Sequence, residues 1–103
     1  MREVAKAAVK AMLYGERYKG KNTVVEGGAV YLHGHKIVWY DENGALWISL
    51  CGWNTVTTRS RINDVLRGLG RDAGVSQRNY SLIVHRYGKE SDEYDSRDNI
   101  LIG

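Results

Sequence analysis

Proline and phenylalanine are absent from this 103-residue chain, and cysteine occurs once. A lone cysteine cannot form an internal disulfide and fits a reducing compartment. Cys51 has no base placed beside it in sequence, so it reads as a strand-end thiol rather than a nucleophile. No run approaches the roughly 20 apolar residues of a membrane span, and the first residues lack the apolar core of a signal peptide. No membrane partner is therefore expected. Motifs that carry chemistry are missing as well. Gly27-Gly28 and Gly68-Leu69-Gly70 lack the neighbours of a phosphate-cradling loop. His33, His35, His85 and Cys51 show no paired spacing, whereas zinc needs four converging ligands. The acidic stretch SDEYDSRDN lacks the glycine and ordered carboxylates of a calcium loop. Asp41 and Glu42 are adjacent acids at a turn, where solvated acids normally sit. The expectation is a non-enzyme with no cofactor and no metal.

What is present is glycine, tyrosine, tryptophan and an uneven charge. The aromatic content is entirely Tyr and Trp, rings with a polar handle that suit partly wet surfaces. Length predicts one domain over 1–103, with an N-terminal helix over 1–15, a sheet-and-helix core over 23–87, and an acidic loop with a short terminal strand over 88–103. Residues 1–89 carry 14 Lys and Arg against 7 Asp and Glu, and residues 90–103 carry 1 against 5. A basic body with an acidic tail points to an anionic partner, or to a tail folded back on the body.

The chain is organised around residues 29–69. His33-Gly34 and Asn43-Gly44 each separate runs of strand-forming residues, and Asn-Gly is a strong hairpin signal. Two-residue loops at both places would set Leu32 opposite His35, Val30 opposite Ile37, Tyr40 opposite Trp47, Trp39 opposite Ile48 and Ile37 opposite Leu50. Faces alternate along a strand. One face would then hold Val30, Leu32, Ile37, Trp39, Leu46, Ile48 and Leu50, with Ile37, Trp39, Ile48 and Leu50 buried. The other would hold Tyr31, Lys36, Val38, Tyr40, Trp47, Ser49 and Cys51.

A helix follows, capped by Thr57 or Thr58, whose stripe of Ile62, Val65, Leu66 and Leu69 would cover the apolar face. Gly52-Trp53-Asn54 forms the corner, with Trp53 plugging the end of the core. Elsewhere, Arg2–Tyr14 reads as a helix ended by Gly15, residues 16–22 as a charged connector, and 23–25 as a short edge strand. Arg71–Ser76 reads as a loop and Gln77–Tyr87 as one strand joining the sheet, with Ile100–Ile102 paired to it. The predicted class is α+β, an antiparallel meander packed against one or two helices.

Two sets of residues are candidates for binding. Tyr31, Lys36, Tyr40 and Trp47, with Tyr80 nearby, would form an aromatic surface suited to a protein hot spot or to stacked bases. If the N-terminal helix covers that face, it is only a second core layer, and this is the more ordinary expectation. Arg59, Arg61, Arg67 and Arg71 lie off the buried stripe of the second helix, and with Arg17, Lys19 and Lys21 they could hold phosphates.

The runs Leu32-His33-Gly34, Gly52-Trp53, Thr57-Thr58-Arg59 and Ile62-Asn63 resemble those of small accessory proteins encoded by tailed bacteriophages and prophages. His35 stands where that pattern has asparagine. The resemblance covers about half the chain and brings no assigned activity, so no site residue follows from it. It implies a phage protein acting in the cytoplasm of a bacterial host. The functional expectation is an accessory protein that binds and blocks a host or phage protein, in the manner of an anti-CRISPR inhibitor of bacterial defence. The alternative is a nucleic-acid-binding module using the basic helix and the Tyr/Trp sheet, and a small metal-dependent nuclease is a third reading.

Overall fold

The computed structural model describes residues 2–103. The Ala-rich first segment forms α1 (Glu3–Tyr14), ended by Gly15 at φ +65°, whose N–H returns to the Ala11 carbonyl. There follow β1 (Tyr18–Lys19), β2 (Thr23–Glu26), β3 (Ala29–Leu32), β4 (His35–Tyr40), β5 (Leu46–Ile48), α2 (Val56–Gly68), β6 (Ala73–Arg78), β7 (Ser81–Arg86), β8 (Asp92–Tyr94) and β9 (Ile100–Leu101). All pairing is antiparallel, in a six-stranded sheet of order β1-β2-β3-β4-β5-β9 and a three-stranded sheet of order β6-β7-β8. The fold is α+β, with a meander in its larger sheet.

The first turn is as the sequence predicts: His33 and Gly34 both have positive φ, and Leu32 faces His35. The register then departs from expectation twice. Tyr31 faces Lys36 but Val30 faces Val38, so Ile37 is an extra residue in β4, a β-bulge. Ile37 and Val38 consequently both point inward, at 1% and 0% exposure. At the second turn, Asp41 N–H donates to the Ala45 carbonyl at 2.9 Å and Gly44 N–H to the Asp41 carbonyl at 3.0 Å. The loop therefore has three residues, Glu42 to Gly44, and Gly44 takes the positive φ (+81°) that closes it. Trp39 faces Trp47, Tyr40 faces Leu46, and Val38 faces Ile48. The expected pairs Val30–Ile37, Tyr40–Trp47 and Trp39–Ile48 do not form. A one-residue change in pairing reverses the side of everything beyond it, so Trp39 goes outward and Tyr40 turns to the core.

α2 begins one turn's edge earlier than expected, with Thr55 as its cap accepting from Thr58 N–H at 3.2 Å. Its predicted stripe is correct: Ile62, Val65 and Leu66 are wholly buried, and Leu69 packs at the margin. Each such side chain taken from water contributes roughly 1.5–3 kcal/mol. Residues of α1 (Ala8, Val9, Met12) join the same cluster as Val25, Val30 and Leu32 of the sheet and Ile62 and Leu66 of α2. The two helices touch each other. Both therefore cover one side of the six-stranded sheet, and the expectation that α1 covers the other side is overturned.

The C-terminal third also differs. Of the expected loop 71–76 only Arg71 and Asp72 lie outside a strand, since β6 begins at Ala73, and 77–87 is not one strand. Asn79 (φ +49°) and Tyr80 (φ +67°) make a tight turn that splits the region into β6 and β7. β9 pairs with β5, Leu101 facing Trp47, rather than with the 77–87 region. The acidic stretch supplies β8, against β7. Trp53 does not plug the core, since it is 56% exposed, with its ring centroid 6.2 Å from that of His35. The second sheet is fastened to α2 by Asn63. Its amide accepts from Val75 N–H at 2.7 Å and donates to the Val75 carbonyl at 3.0 Å, so one side chain satisfies both outward backbone groups on the free edge of β6.

Candidate binding surface

The side of the six-stranded sheet opposite the helices carries two cross-strand rows. Glu26, Ala29, Trp39, Trp47 and Leu101 face one another in sequence across β2, β3, β4, β5 and β9. Lys19, Val24, Tyr31 and Lys36 do the same across β1 to β4. Trp39, Trp47, Tyr31 and Val24 keep part of their surface in solvent, while Leu101 is 46% exposed and Lys19 and Lys36 are exposed. Their inward neighbours Val25, Val30, Val38 and Ile48 are at 1% or less.

The two tryptophans are held in place from below. Their ring planes lie within 8° of parallel, with centroids 6.5 Å apart. The Trp47 indole N–H donates to Asp41 Oδ2 at 2.8 Å, while Asp41 Oδ1 accepts from Asn43 and Ala45 N–H at 2.8 and 3.0 Å. These donors, the indole first, hold the Asp41 carboxyl below its ordinary pKa. Lys36 Nζ sits 4.7 Å from the Trp39 ring centroid, a cation–π contact. At the far end of the row, Glu26 is ion-paired with Arg17. The face is thus aromatic, flat and edged by lysine.

Among the described residues, no group of three His, Cys, Asp or Glu side chains converges. The Cys51 thiol approaches the Lys36 carbonyl at 3.1 Å. His85 lies between two hydroxyls, with Ser76 Oγ 2.6 Å from Nε2 and Ser91 Oγ 2.7 Å from Nδ1. A loop over 71–76, as the sequence predicts, would not hold Ser76 beside His85; the pairing of β6 with β7 does. Among the described residues no helix is long and apolar enough to cross a membrane.

With this geometry in place, comparison with known proteins adds a family. The model of the Kyanoviridae Gp96 protein family matches residues 1–101. The chain belongs to that family. It is a phage protein, as the resemblance implied. No curated protein and no solved structure matches it.

In this Gp96-family chain the predicted site residues separate. Tyr31, Lys36 and Trp47 share the open face, joined by Trp39, which the predicted register had buried. Tyr40 lies on the other side and packs against the core. The four arginines do not form one basic face. Arg61 is 5% exposed, donates to Thr23 and, at 3.5 Å, to Asn22 Oδ1, and its Nε has no partner among the described residues. Burial, followed by the nearby charge of Arg2, pulls the Arg61 pKa down. Arg59 is tied to the corner through the Asn54 carbonyl at 3.0 Å. Arg67 and Arg71 do line one groove, with Arg86 and His85 from β7. Arg71 and Arg86 already donate there to the Gly103 and Leu101 carbonyls, at 2.6 and 2.7 Å. The groove also sits at the C-terminal end of α2, the pole that favours cations over phosphates.

Proposed function

We propose that this phage protein is a non-enzymatic accessory factor that binds a macromolecule of the infected cell through the open aromatic face of its larger sheet and blocks that macromolecule by covering it. The observation that carries the reading is the partly exposed Trp39–Trp47 pair, flanked by Tyr31 and Lys36, on the side that neither helix packs against. Half-exposed aromatic groups held in fixed positions are the usual energetic centres of interfaces, and a patch of this kind on a small protein marks a binding site. Inhibition of a bacterial defence system, anti-CRISPR activity included, is one form that such blocking would take. The support for that finer statement is family membership among phage proteins together with this surface. The test is recovery of the tagged protein from infected cells alongside a Trp39→Ala/Trp47→Ala variant. A component held by the wild type and lost by the folded variant is expected. Equal recovery of everything by both proteins refutes the reading.

A further inference from the structure

Taking that face as the docking surface, we infer that its partner is single-stranded nucleic acid, with bases stacking on Trp39, Trp47 and Tyr31 and phosphates meeting Lys19 and Lys36.

The chemistry of the two rows argues for this partner. The Trp47 N–H is consumed by Asp41 at 2.8 Å, so this ring offers its π surface rather than a hydrogen bond. Trp39 stands parallel to it within 8°, and the pair presents π faces of one orientation. Parallel faces suit planar ligands, and stacking of this type tolerates any base because every base has a π face. The charges lie where phosphates would need them. The rows are two residues apart on β2 and β3, about 6.7 Å, and three apart on β4, from Lys36 to Trp39 across the bulge, so the row containing Lys19 and Lys36 runs beside the Trp39 end of the other row. Lys36 Nζ lies over Trp39 at 4.7 Å, so a base that stacks on that face displaces the ammonium from the ring toward the phosphate of the same nucleotide. Within the rows the one carboxylate, Glu26, is ion-paired with Arg17. Asp41, beside Trp47, keeps its charge while three N–H groups donate to it, so a phosphate backbone would run on the Lys19–Lys36 side of the tryptophans.

The same facts weigh against other occupants. A second copy would bring the same lysines into the interface, to be met only by Glu26, already paired with Arg17, and Asp41, already holding three N–H groups. A protein partner would have to supply its own acidic row opposite Lys19 and Lys36, whereas a nucleic-acid strand carries that row in its backbone. Four of the twelve acidic residues of this chain, Asp92, Glu93, Asp95 and Asp98, lie on β8 and the turn after it, outside both rows.

Tryptophan emission reads the inference directly. A Trp53→Phe protein leaves only Trp39 and Trp47 as emitters. Titration with oligo(dT) and oligo(rU) at physiological salt should quench it saturably, with affinity at or tighter than about 10⁻⁴ M. Quenching by only one of the two identifies the strand chemistry and also supports the inference. Log affinity should fall with log salt, and Lys36→Ala and Lys19→Ala, both at exposed positions, should each lower the slope by about 0.7. Trp39→Ala should weaken binding roughly 5- to 150-fold. Absence of saturable quenching by either strand refutes the inference. If the Trp39→Ala/Trp47→Ala variant still loses a protein component from infected cells, the docking face stands and its partner is a protein. If it loses nothing, both readings fall together.

Discussion

Replacing Asn63 by alanine isolates one side chain that joins the two halves of the structure. The Asn63 amide makes two hydrogen bonds to the backbone of Val75, a residue 4% exposed at the free edge of β6. A net hydrogen bond contributes about 0.5–1.5 kcal/mol, and a buried group left unpaired costs about 1–3 kcal/mol. Asn63 is itself half-buried, so water can reach part of the vacated site and the lower ends of both ranges apply. Asn63→Ala should therefore cost about 2–3 kcal/mol, a fall in Tm of roughly 10–20 °C for a domain of this size. Asn63→Asp keeps an acceptor for Val75 N–H but sets an oxygen against the Val75 carbonyl, so it should recover only part of the loss. Gly74 belongs to the same contact, because a Cβ there would lie 3.1 Å from Asn63 Oδ1. Gly74→Ala should destabilise the wild type more than it destabilises Asn63→Ala, giving a non-additive cycle. Thermal unfolding followed by circular dichroism measures the stabilities, and hydrogen exchange reports on the Val75 amide. An Asn63→Ala change within about 0.5 kcal/mol of wild type, the range of ordinary surface substitutions, refutes the clamp.

Three further outcomes are expected. Gly44→Val places a β-branched residue at φ +81° and should cost about 1–3 kcal/mol in thermal unfolding. Tyr80 is 92% exposed at φ +67°, so Tyr80→Gly should raise stability by up to about 1 kcal/mol, the relief of strain exceeding the added chain entropy. Asp41 has its folded pKa below the ordinary carboxylate value, so folding favours its ionised form. The stability it contributes is complete above the unfolded pKa of about 3.9 and is lost as pH falls through the lower folded value. Acid unfolding monitored by tryptophan emission should show this loss, and Asp41→Asn should flatten it.

Much of the fold is written in local pattern. The Ala-rich first segment, the stripe of Ile62, Val65 and Leu66, the His33-Gly34 turn and the positive φ at Gly44 each depend on residues a few positions apart, where propensity and periodicity act. The apolar character of Val30, Leu32, Leu46 and Ile48 was legible for the same reason. Tertiary structure decided the rest. The bulge at Ile37 forms because both Ile37 and Val38 gain by burial against the helices, and no local signal distinguishes that from regular pairing. That choice, with the three-residue loop, exchanged Trp39 for Tyr40 on the open face. A turn at Asn79-Tyr80 requires a tyrosine at positive φ, which local preference argues against and cross-strand pairing of β6 with β7 imposes. The partner of β9, the shared side of the two helices and the burial of Arg61 are contacts between residues far apart in the chain. The sequence by itself determined the two helices, the strands of the meander from Ala29 to Ile48 and the aromatic residues that those strands carry. Only long-range packing determined which rings compose the aromatic surface and left it uncovered, because the side on which a strand residue emerges depends on every pairing step before it.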